Sequence, residues 1–342
     1  MTIGTLSLDI AVVGWPSHDK MFDDFSAELG AAGHRIVRYV DRVAFAQSPD
    51  PLAAVDILLC VGNCPVTRAI LAAAPRLRAI VSAVTGLDGI DMVATSERNV
   101  VVANAQTEEN VIGMAEATIL LILAALYAFD DTQNRLRENL PRPDPLRARQ
   151  LRGKTIGFVG FGKIARECAR LLGPWGATIQ YSARRDADLT GLPAMRRVEL
   201  DTLLRSSDVV SVLTSLNGET RGLISAEKLR LMKKSAILVN TARGAIIDEA
   251  ALIEALANKA LAGAALDCFA VEPLPKDSPL RELPNVILTP HMVGHTYEAH
   301  ESLERATRDN LDLILAGKPP RYVVNPEVLP AWTVKWGKAN SE

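Results

Sequence analysis

The feature that most constrains this chain is a strand, a glycine turn and a helix in direct succession over residues 155–173. Thr155–Val159 reads as a buried strand, Gly160-Phe161-Gly162 as the turn, and Ile164–Gly173 as a helix. Gly160 permits a tight turn and Gly162 lets the backbone approach a pyrophosphate. Ala165 takes the place of a third glycine and still allows close packing of helix on strand. The helix start, with Lys163 and Ile164, offers free N–H groups and the positive end of a dipole to phosphate. A further strand, Thr178–Ser182, follows about 20 residues on, the spacing of a dinucleotide-binding βαβ unit.

The end of that second strand predicts which dinucleotide. A carboxylate there accepts a hydrogen bond from the ribose 2′-OH in NAD-binding units. Here Ser182 is followed by Ala183-Arg184-Arg185, with no acid at the position and two guanidiniums after it. Arginine pairs with a 2′-phosphate where a carboxylate would repel it. NADP(H) is therefore the expected cofactor, with NAD(H) as the alternative.

Strand and helix signals alternate along the rest of the chain. Apolar runs at 9–14, 35–40, 55–61, 77–84 and 99–103 read as strands, with helical spacing at 19–30 and 66–74. Helical patterning at 110–129 leads into an irregular basic stretch, 135–154, where Pro141, Pro143 and Pro145 forbid a regular helix. This stretch reads as a solvated connection. Beyond it, strands are expected at 209–213, 236–240, 262–267 and 286–289, with helices at 199–205, 226–232, 249–258 and 298–316. A polar tail carries Trp332 and Trp336. Strands separated by helices of this length imply parallel sheets, and the two stretches of alternation imply two doubly wound α/β domains.

Composition removes several classes of function. Lys+Arg 38 against Asp+Glu 40 leaves a net charge of −2, so no basic field points to nucleic acid. At 48% hydrophobic the chain is not disordered. The run Ala117–Tyr127 falls short of the ~20 residues of a membrane span, and Met1–Gly4 starts no signal peptide. Cys60, Cys64, Cys168 and Cys268 have no zinc spacing and read as reduced packing residues of a cytoplasmic protein; no metal site is expected.

Three later segments each follow a strand: Val239-Asn240-Thr241-Ala242-Arg243-Gly244, Ala265-Leu266-Asp267-Cys268-Phe269-Ala270-Val271-Glu272-Pro273, and Thr289-Pro290-His291-Met292-Val293-Gly294. With the glycine turn, and with Cys64-Pro65-Val66-Thr67, Gly86-Leu87-Asp88-Gly89-Ile90-Asp91 and Ala115-Glu116-Ala117-Thr118, the chain resembles the D-isomer-specific 2-hydroxyacid dehydrogenases. The resemblance covers nearly the whole length. It implies a Rossmann domain, 105–292, inserted in a flavodoxin-like substrate-binding domain, 1–104 and 293–342, with the active site in the cleft between them.

It also implies roles. Arg243 would pair with a substrate carboxylate and polarise the carbonyl to be reduced. His291 would pass the proton, and Glu272 would orient His291 and stabilise its protonated form. Backbone N–H groups at Thr85, Gly86 and Leu87 would bind the carboxylate from the other domain. Asp267 would hold the nicotinamide end, with Thr214, Ser215, Thr220, Thr241, Ala242 and Gly294 also lining the cofactor. The substrate would be a small 2-oxo or 2-hydroxy acid such as glyoxylate or hydroxypyruvate, and the assembly a homodimer.

The chain departs from the family pattern at several points. Leu213–Leu216 lacks the common His and Pro, and Ala117 stands where many members have His. Val293 and His295 replace small residues. Val61 stands where phosphoglycerate-using members tend to carry Arg, which weakens a phosphorylated substrate. Phosphite oxidation and a dinucleotide-sensing corepressor or scaffold are the alternative functions. His18, His34 and His300 have no site context and read as surface residues.

Overall fold

The computed structural model describes residues 7–14, 19–48 and 50–337, so the readings of His18 and of the N-terminal Met1–Gly4 lie outside the described residues. The chain forms two compact units, Met1–Asn110 with Tyr297–Glu342, and Val111–Thr296.

The first unit holds a five-stranded parallel sheet of β1 (Asp9–Val13), β2 (Arg35–Tyr39), β3 (Ile57–Cys60), β4 (Ala79–Ser82) and β5 (Val101–Ala103). The strand order is β2-β1-β3-β4-β5, the flavodoxin-like arrangement. β3 (ILLC) and β4 (AIVS) are buried along their whole length, which is why they are continuous apolar runs and not alternating ones. The helices α1 (Asp19–Ala31), α2 (Arg42–Gln47), α3 (Arg68–Ala73) and α4 (Met92–Glu97) connect these strands. Neither α2 nor α4 shows in the periodicity; α2 buries Phe45 and α4 buries Ala94 and Thr95. Each starts at an aspartate: Asp41 accepts from the N–H groups of Val43 and Ala44, and Asp91 from Ala94.

α5 (Glu108–Leu126) starts in the last residues of the first unit, and from Val111 on it opens the second, followed by α6 (Phe129–Arg137). By length and composition alone α5 could cross a membrane, which the apolar run Ala117–Tyr127 did not indicate. In the fold its Ala115, Ile119, Ile122 and Leu126 pack into the core of this unit. The expected single helix to Phe129 is broken at Ala128, which adopts a left-handed φ of 49°. α6 includes Arg135–Arg137, so the basic stretch expected to be irregular from 135 is helical in its first three residues; from 138 to 154 it is irregular and largely exposed.

Seven parallel strands follow: β6 (Thr155–Val159), β7 (Thr178–Ser182), β8 (Met195–Arg197), β9 (Val209–Val212), β10 (Ile237–Asn240), β11 (Gly263–Leu266) and β12 (Val286–Leu288). Between them lie α7 (Lys163–Leu172), α8 (Leu200–Ser206), α9 (Ala226–Leu231) and α10 (Glu249–Ala257). The order β12-β11-β10-β9-β6-β7-β8 reverses direction between β6 and β9, the crevice where doubly wound sheets take dinucleotides. β10 shows how the sheet is buried. Leu238 faces one apolar cluster, while Ile237 and Val239 face the other. β8 was not expected: three residues with two arginines give no strand signal, and pairing to β7 makes the strand.

The chain then returns to the first unit through α11 (Tyr297–Leu315) and α12 (Leu329–Trp336). The tail read as polar is thus helical in part. Trp332 is fully buried, and its Nε1 donates to the Arg78 carbonyl at 2.8 Å. His34, expected at the surface, is tied into the fold. It is half-buried, accepts the Leu8 N–H at Nδ1, and burial beside the Arg78 charge pushes its pKa down. The four cysteines are free and buried.

The units divide after Asn110 and Thr296, slightly beyond the boundaries expected at 104 and 292. Residues 104–110 are tied to the returning chain. Asn104 N–H donates to the Tyr322 carbonyl, Asn310 Nδ2 to the Asn104 carbonyl, and Thr107 shares a hydroxyl hydrogen bond with Ser302. Val293 stays with the second unit because its N–H donates to Asp267.

Candidate active site

In the second unit the expected site residues lie at or after the carboxyl ends of its strands. The glycine turn follows β6, Ser182 ends β7 and Ala183–Arg185 follow it, Thr214 and Ser215 follow β9, Thr241–Arg243 follow β10, Asp267 follows β11, and Thr289–His291 follow β12. A parallel sheet delivers them to one edge although they are spread over more than a hundred positions of sequence.

The glycine turn has the geometry a pyrophosphate needs. Gly160 adopts φ +90°, and a Cβ there would meet the Thr214 backbone at 2.7 Å, so only glycine fits. Gly162 caps α7 with no atom within 4 Å of where its Cβ would stand, which leaves the turn open to a ligand. Ala165 is buried beneath it, and the Phe161 ring stacks on Tyr181 of β7 at 4.2 Å. The residues present therefore fit a dinucleotide.

Beyond β7, Arg184 and Arg185 are exposed. Arg184 forms an exposed ion pair with Glu219 at 2.6 Å, a partner that sequence reading did not find. Thr220, expected to line the cofactor, turns its hydroxyl into its own loop. It donates to the Ser215 carbonyl and accepts from the Asn217 N–H.

The turn after β10 is shaped by Asn240. Its side chain accepts from the Ala242 N–H and donates to the Arg243 carbonyl, both at 3.0 Å. Thr241 is buried and shares a hydroxyl hydrogen bond with Thr118 of α5 at 2.9 Å. Arg243 Nη1 donates to the Ala242 carbonyl at 2.7 Å. A Cβ on Gly244 would stand 1.9 Å from the Phe269 carbonyl carbon. The Arg243 turn therefore packs backbone to backbone on the turn that carries Glu272.

Glu272 and His291 come together as expected. His291 Nδ1 lies 2.8 Å from Glu272 Oε2 and 3.0 Å from Oε1, and Oε1 also accepts the Phe269 N–H. Burial pushes the Glu272 carboxyl up, but the hydrogen bonds from His291 and Phe269 and the charges of His291 and Arg243 outweigh it. The net pKa is lowered, so Glu272 is ionised at neutral pH. His291 itself sits at a positive φ of 54°.

The turn is held by Asp267, which is 2% exposed. Its Oδ1 accepts from Thr289 Oγ1 at 2.7 Å and from the N–H groups of Met292 and Val293 at 3.0 and 3.2 Å. The residue expected to hold a nicotinamide thus commits one oxygen to the loop that presents His291. Thr289 in this role was not read from the sequence, because a threonine at a strand end carries no signal of its own. Gly294 lies against Met114 of α5, where a Cβ would stand 2.1 Å from the sulfur. Cys268 is buried next to this turn with its thiol pKa pushed up by burial, which makes it a packing group and not a nucleophile.

In the first unit, Thr85–Leu87 follow β4 as a loop. Thr85 is fixed at both ends: its hydroxyl donates to Asn110 Oδ1, and its carbonyl accepts from Asn104 Nδ2, each at 2.9 Å. A Cβ on Gly62 would stand 1.5 Å from the Gly86 carbonyl oxygen, so the two backbones are in direct contact.

Comparison with known proteins agrees with this geometry. A family model described as "D-isomer specific 2-hydroxyacid dehydrogenase, NAD binding domain" matches residues 119–293. The chain is 38% identical over 284 residues to a glyoxylate reductase of Thermofilum pendens, covering 80% of this chain and 82% of that protein. It is 36% identical over 343 residues to a D-3-phosphoglycerate dehydrogenase of Mycobacterium bovis, covering 95% of this chain but only 62% of that longer protein. Among solved structures, a glyoxylate reductase from Paecilomyes thermophila superposes with a TM-score of 0.82 at 26% identity, covering 94% of this chain and 99% of the other.

Proposed function

This chain belongs to the D-isomer-specific 2-hydroxyacid dehydrogenase family, and from that premise we propose that it reduces a small 2-oxo acid such as glyoxylate or hydroxypyruvate, with NADPH preferred over NADH. The observation that carries the reading is the Glu272–His291 pair at 2.8 Å on the same sheet edge as Arg243 and the glycine turn.

The Gly160–Gly162 turn and the start of α7 would hold the pyrophosphate, and the bound nicotinamide supplies the hydride. The chain's own residues do the rest. The Arg243 guanidinium pairs with the substrate carboxylate and polarises the carbonyl, a task its planar fork suits. His291 Nδ1 is engaged by Glu272, so Nε2 is the atom that gives a proton to the developing alkoxide and takes it back in the reverse direction. Ionised Glu272 orients the ring and stabilises its cationic form. In the first unit, the N–H groups of Thr85, Gly86 and Leu87 would receive the substrate carboxylate, and Thr85 is anchored by Asn104 and Asn110.

The cofactor preference rests on Ala183, which offers no carboxylate to a ribose 2′-OH, and on Arg184 and Arg185. The Arg184–Glu219 pair is largely exposed on both sides, so releasing Arg184 to a phosphate costs little. One or two charge-assisted hydrogen bonds predict a preference of about tenfold to several hundredfold. A homodimer is part of the proposal, and exposed Leu120, Tyr127 and Phe129 give apolar surface for it.

The test is kcat/KM for glyoxylate, hydroxypyruvate, phosphoglycerate-derived 2-oxo acid, formate and phosphite, with each cofactor. Turnover of 2-oxo acids with NADPH is the expected result. Turnover confined to phosphite, or none with any acid, overturns the substrate assignment, and better use of NADH overturns the cofactor assignment.

A further inference from the structure

The loop that follows β7 is held from one side by a single residue on the edge strand. Arg197, the last residue of β8, stands opposite Tyr181 in the register of β7. Its guanidinium spends all three nitrogens on the loop. Nε donates to the Ala183 carbonyl at 3.0 Å, Nη2 to the Arg184 carbonyl at 3.2 Å, and Nη1 pairs with Asp186 Oδ1 at 2.7 Å. The three acceptors lie within four residues of one another, and a planar fork is the side chain able to meet them together.

This clamp has a directional consequence. In a trans peptide the C=O and the following N–H point in opposite directions. Turning the carbonyls of Ala183 and Arg184 toward Arg197 therefore turns the N–H groups of Arg184 and Arg185 away from it. Neither N–H donates to an acceptor among the described residues. The side of the loop away from Arg197 thus presents two successive unpaired N–H groups, on the residues that also carry two exposed guanidiniums. Successive N–H donors facing one way form a concavity suited to an oxyanion.

We propose that Arg197 is a positioning residue for cofactor selectivity: it orients the Ala183–Asp186 loop so that the Arg184 and Arg185 N–H groups and guanidiniums together receive a phosphomonoester, the adenosine 2′-phosphate. The inference rests on the NADPH reading above and adds the residue that makes the loop competent. Arg197 touches neither substrate nor cofactor in this role. It acts through the loop, and its positive charge alone does not suffice, because orientation of the peptide planes is what it supplies.

The experiment uses the full chain and two probes, adenosine 2′,5′-bisphosphate and 5′-AMP, with binding followed by calorimetry. The variants are Arg197→Ala and Arg197→Lys, and kcat and KM are measured with both cofactors. Wild type is expected to bind the bisphosphate more tightly than AMP. Arg197→Ala is expected to weaken the bisphosphate by about tenfold, the worth of one charge-assisted hydrogen bond, with AMP unchanged to within about twofold. KM for NADPH should rise with kcat retained. Arg197→Lys keeps the charge but cannot span three acceptors, so it should behave like Arg197→Ala; it also serves if the alanine variant does not fold. Full recovery of bisphosphate binding in Arg197→Lys would show that charge alone is read, and would overturn the proposal. Equal weakening of both probes would reduce Arg197 to a structural role and would overturn it as well. An unchanged preference for the bisphosphate in both variants would overturn the Arg197 inference while leaving the NADPH reading intact. If wild type does not distinguish the two probes, the NADPH reading fails and this inference falls with it.

Discussion

His291 holds a left-handed backbone conformation that few side chains adopt, and three hydrogen bonds to Asp267 Oδ1 hold the turn around it. The imidazole reaches Glu272 only because that turn is in place. Replacing His291 by Ala is expected to lower kcat by about 10²–10⁴, the usual worth of a positioned acid–base group, while dinucleotide binding persists. Arg243→Ala should lower kcat/KM by a comparable factor, about 10²–10⁴ for two lost charge-assisted bonds, and Arg243→Lys should not restore it because an ammonium cannot fork. Steady-state rates and cofactor titrations check both, and a near wild-type rate in either variant rejects its assigned role. The Glu272 carboxyl has a folded pKa below its ordinary 4.5. Its interactions therefore contribute stability above pH 4.5 that is lost as pH falls through the lower folded value. In Glu272→Gln this acid-dependent loss is absent, so melting temperature plotted against pH should fall less steeply below pH 4.5 than in wild type. Parallel curves for the two proteins would remove the Glu272 linkage.

Two glycines separate the structural demands of an element from its chemical ones. Gly244 joins the turn after β10 to the turn after β11 by backbone contact, and a methyl group there meets the Phe269 carbonyl carbon at 1.9 Å. Gly244→Ala must push the turns apart, destabilising the protein by about 1–3 kcal/mol and displacing Arg243, so melting temperature and kcat fall together. Gly162 has open space beside it and an ordinary negative φ of −85°. Gly162→Ala is expected to fold with an unchanged melting temperature, yet raise KM for the dinucleotide by about an order of magnitude by blocking the approach of phosphate. If both variants melt like wild type and only the second loses cofactor affinity, the close approach at Gly244 is not a structural requirement.

For the molecule as a whole, the first unit is completed by chain that returns after the second unit is finished. α11, α12 and the 3-10 turn Pro326–Val328 before α12 supply Leu311, Ile314, Val328 and Trp332 to the same cluster as Ile10, Phe22 and Leu59. Trp332→Ala should cost about 3–5 kcal/mol, by cavity formation and loss of the bond to the Arg78 carbonyl. With two units the loss should show as an early separate transition in denaturant, with the dinucleotide-binding unit unfolding later. A single shifted transition would mean that the units unfold as one.

What the sequence determined by itself is what short-range physics writes into it. Buried parallel strands are continuous apolar runs, so nearly every strand was legible, and a glycine turn between strand and helix announces its ligand class. Arg243, Glu272 and His291 were legible because strand ends in an open parallel sheet share one edge, whatever the distance along the chain. Short-range pattern does not reach contacts between distant segments. α2, α4 and β8 were not legible in the apolar pattern, and Trp332 sits in a helix whose burial depends on the sheet it meets. The Asp267–Thr289 bond, the Glu219 partner of Arg184 and the three-point hold of Arg197 on the Ala183–Asp186 loop join residues separated by 11 to 35 positions. These contacts have no local signature. Only tertiary packing, by bringing β7 beside β8 and β11 beside β12, decided that an arginine on a three-residue strand would set the conformation of the cofactor loop.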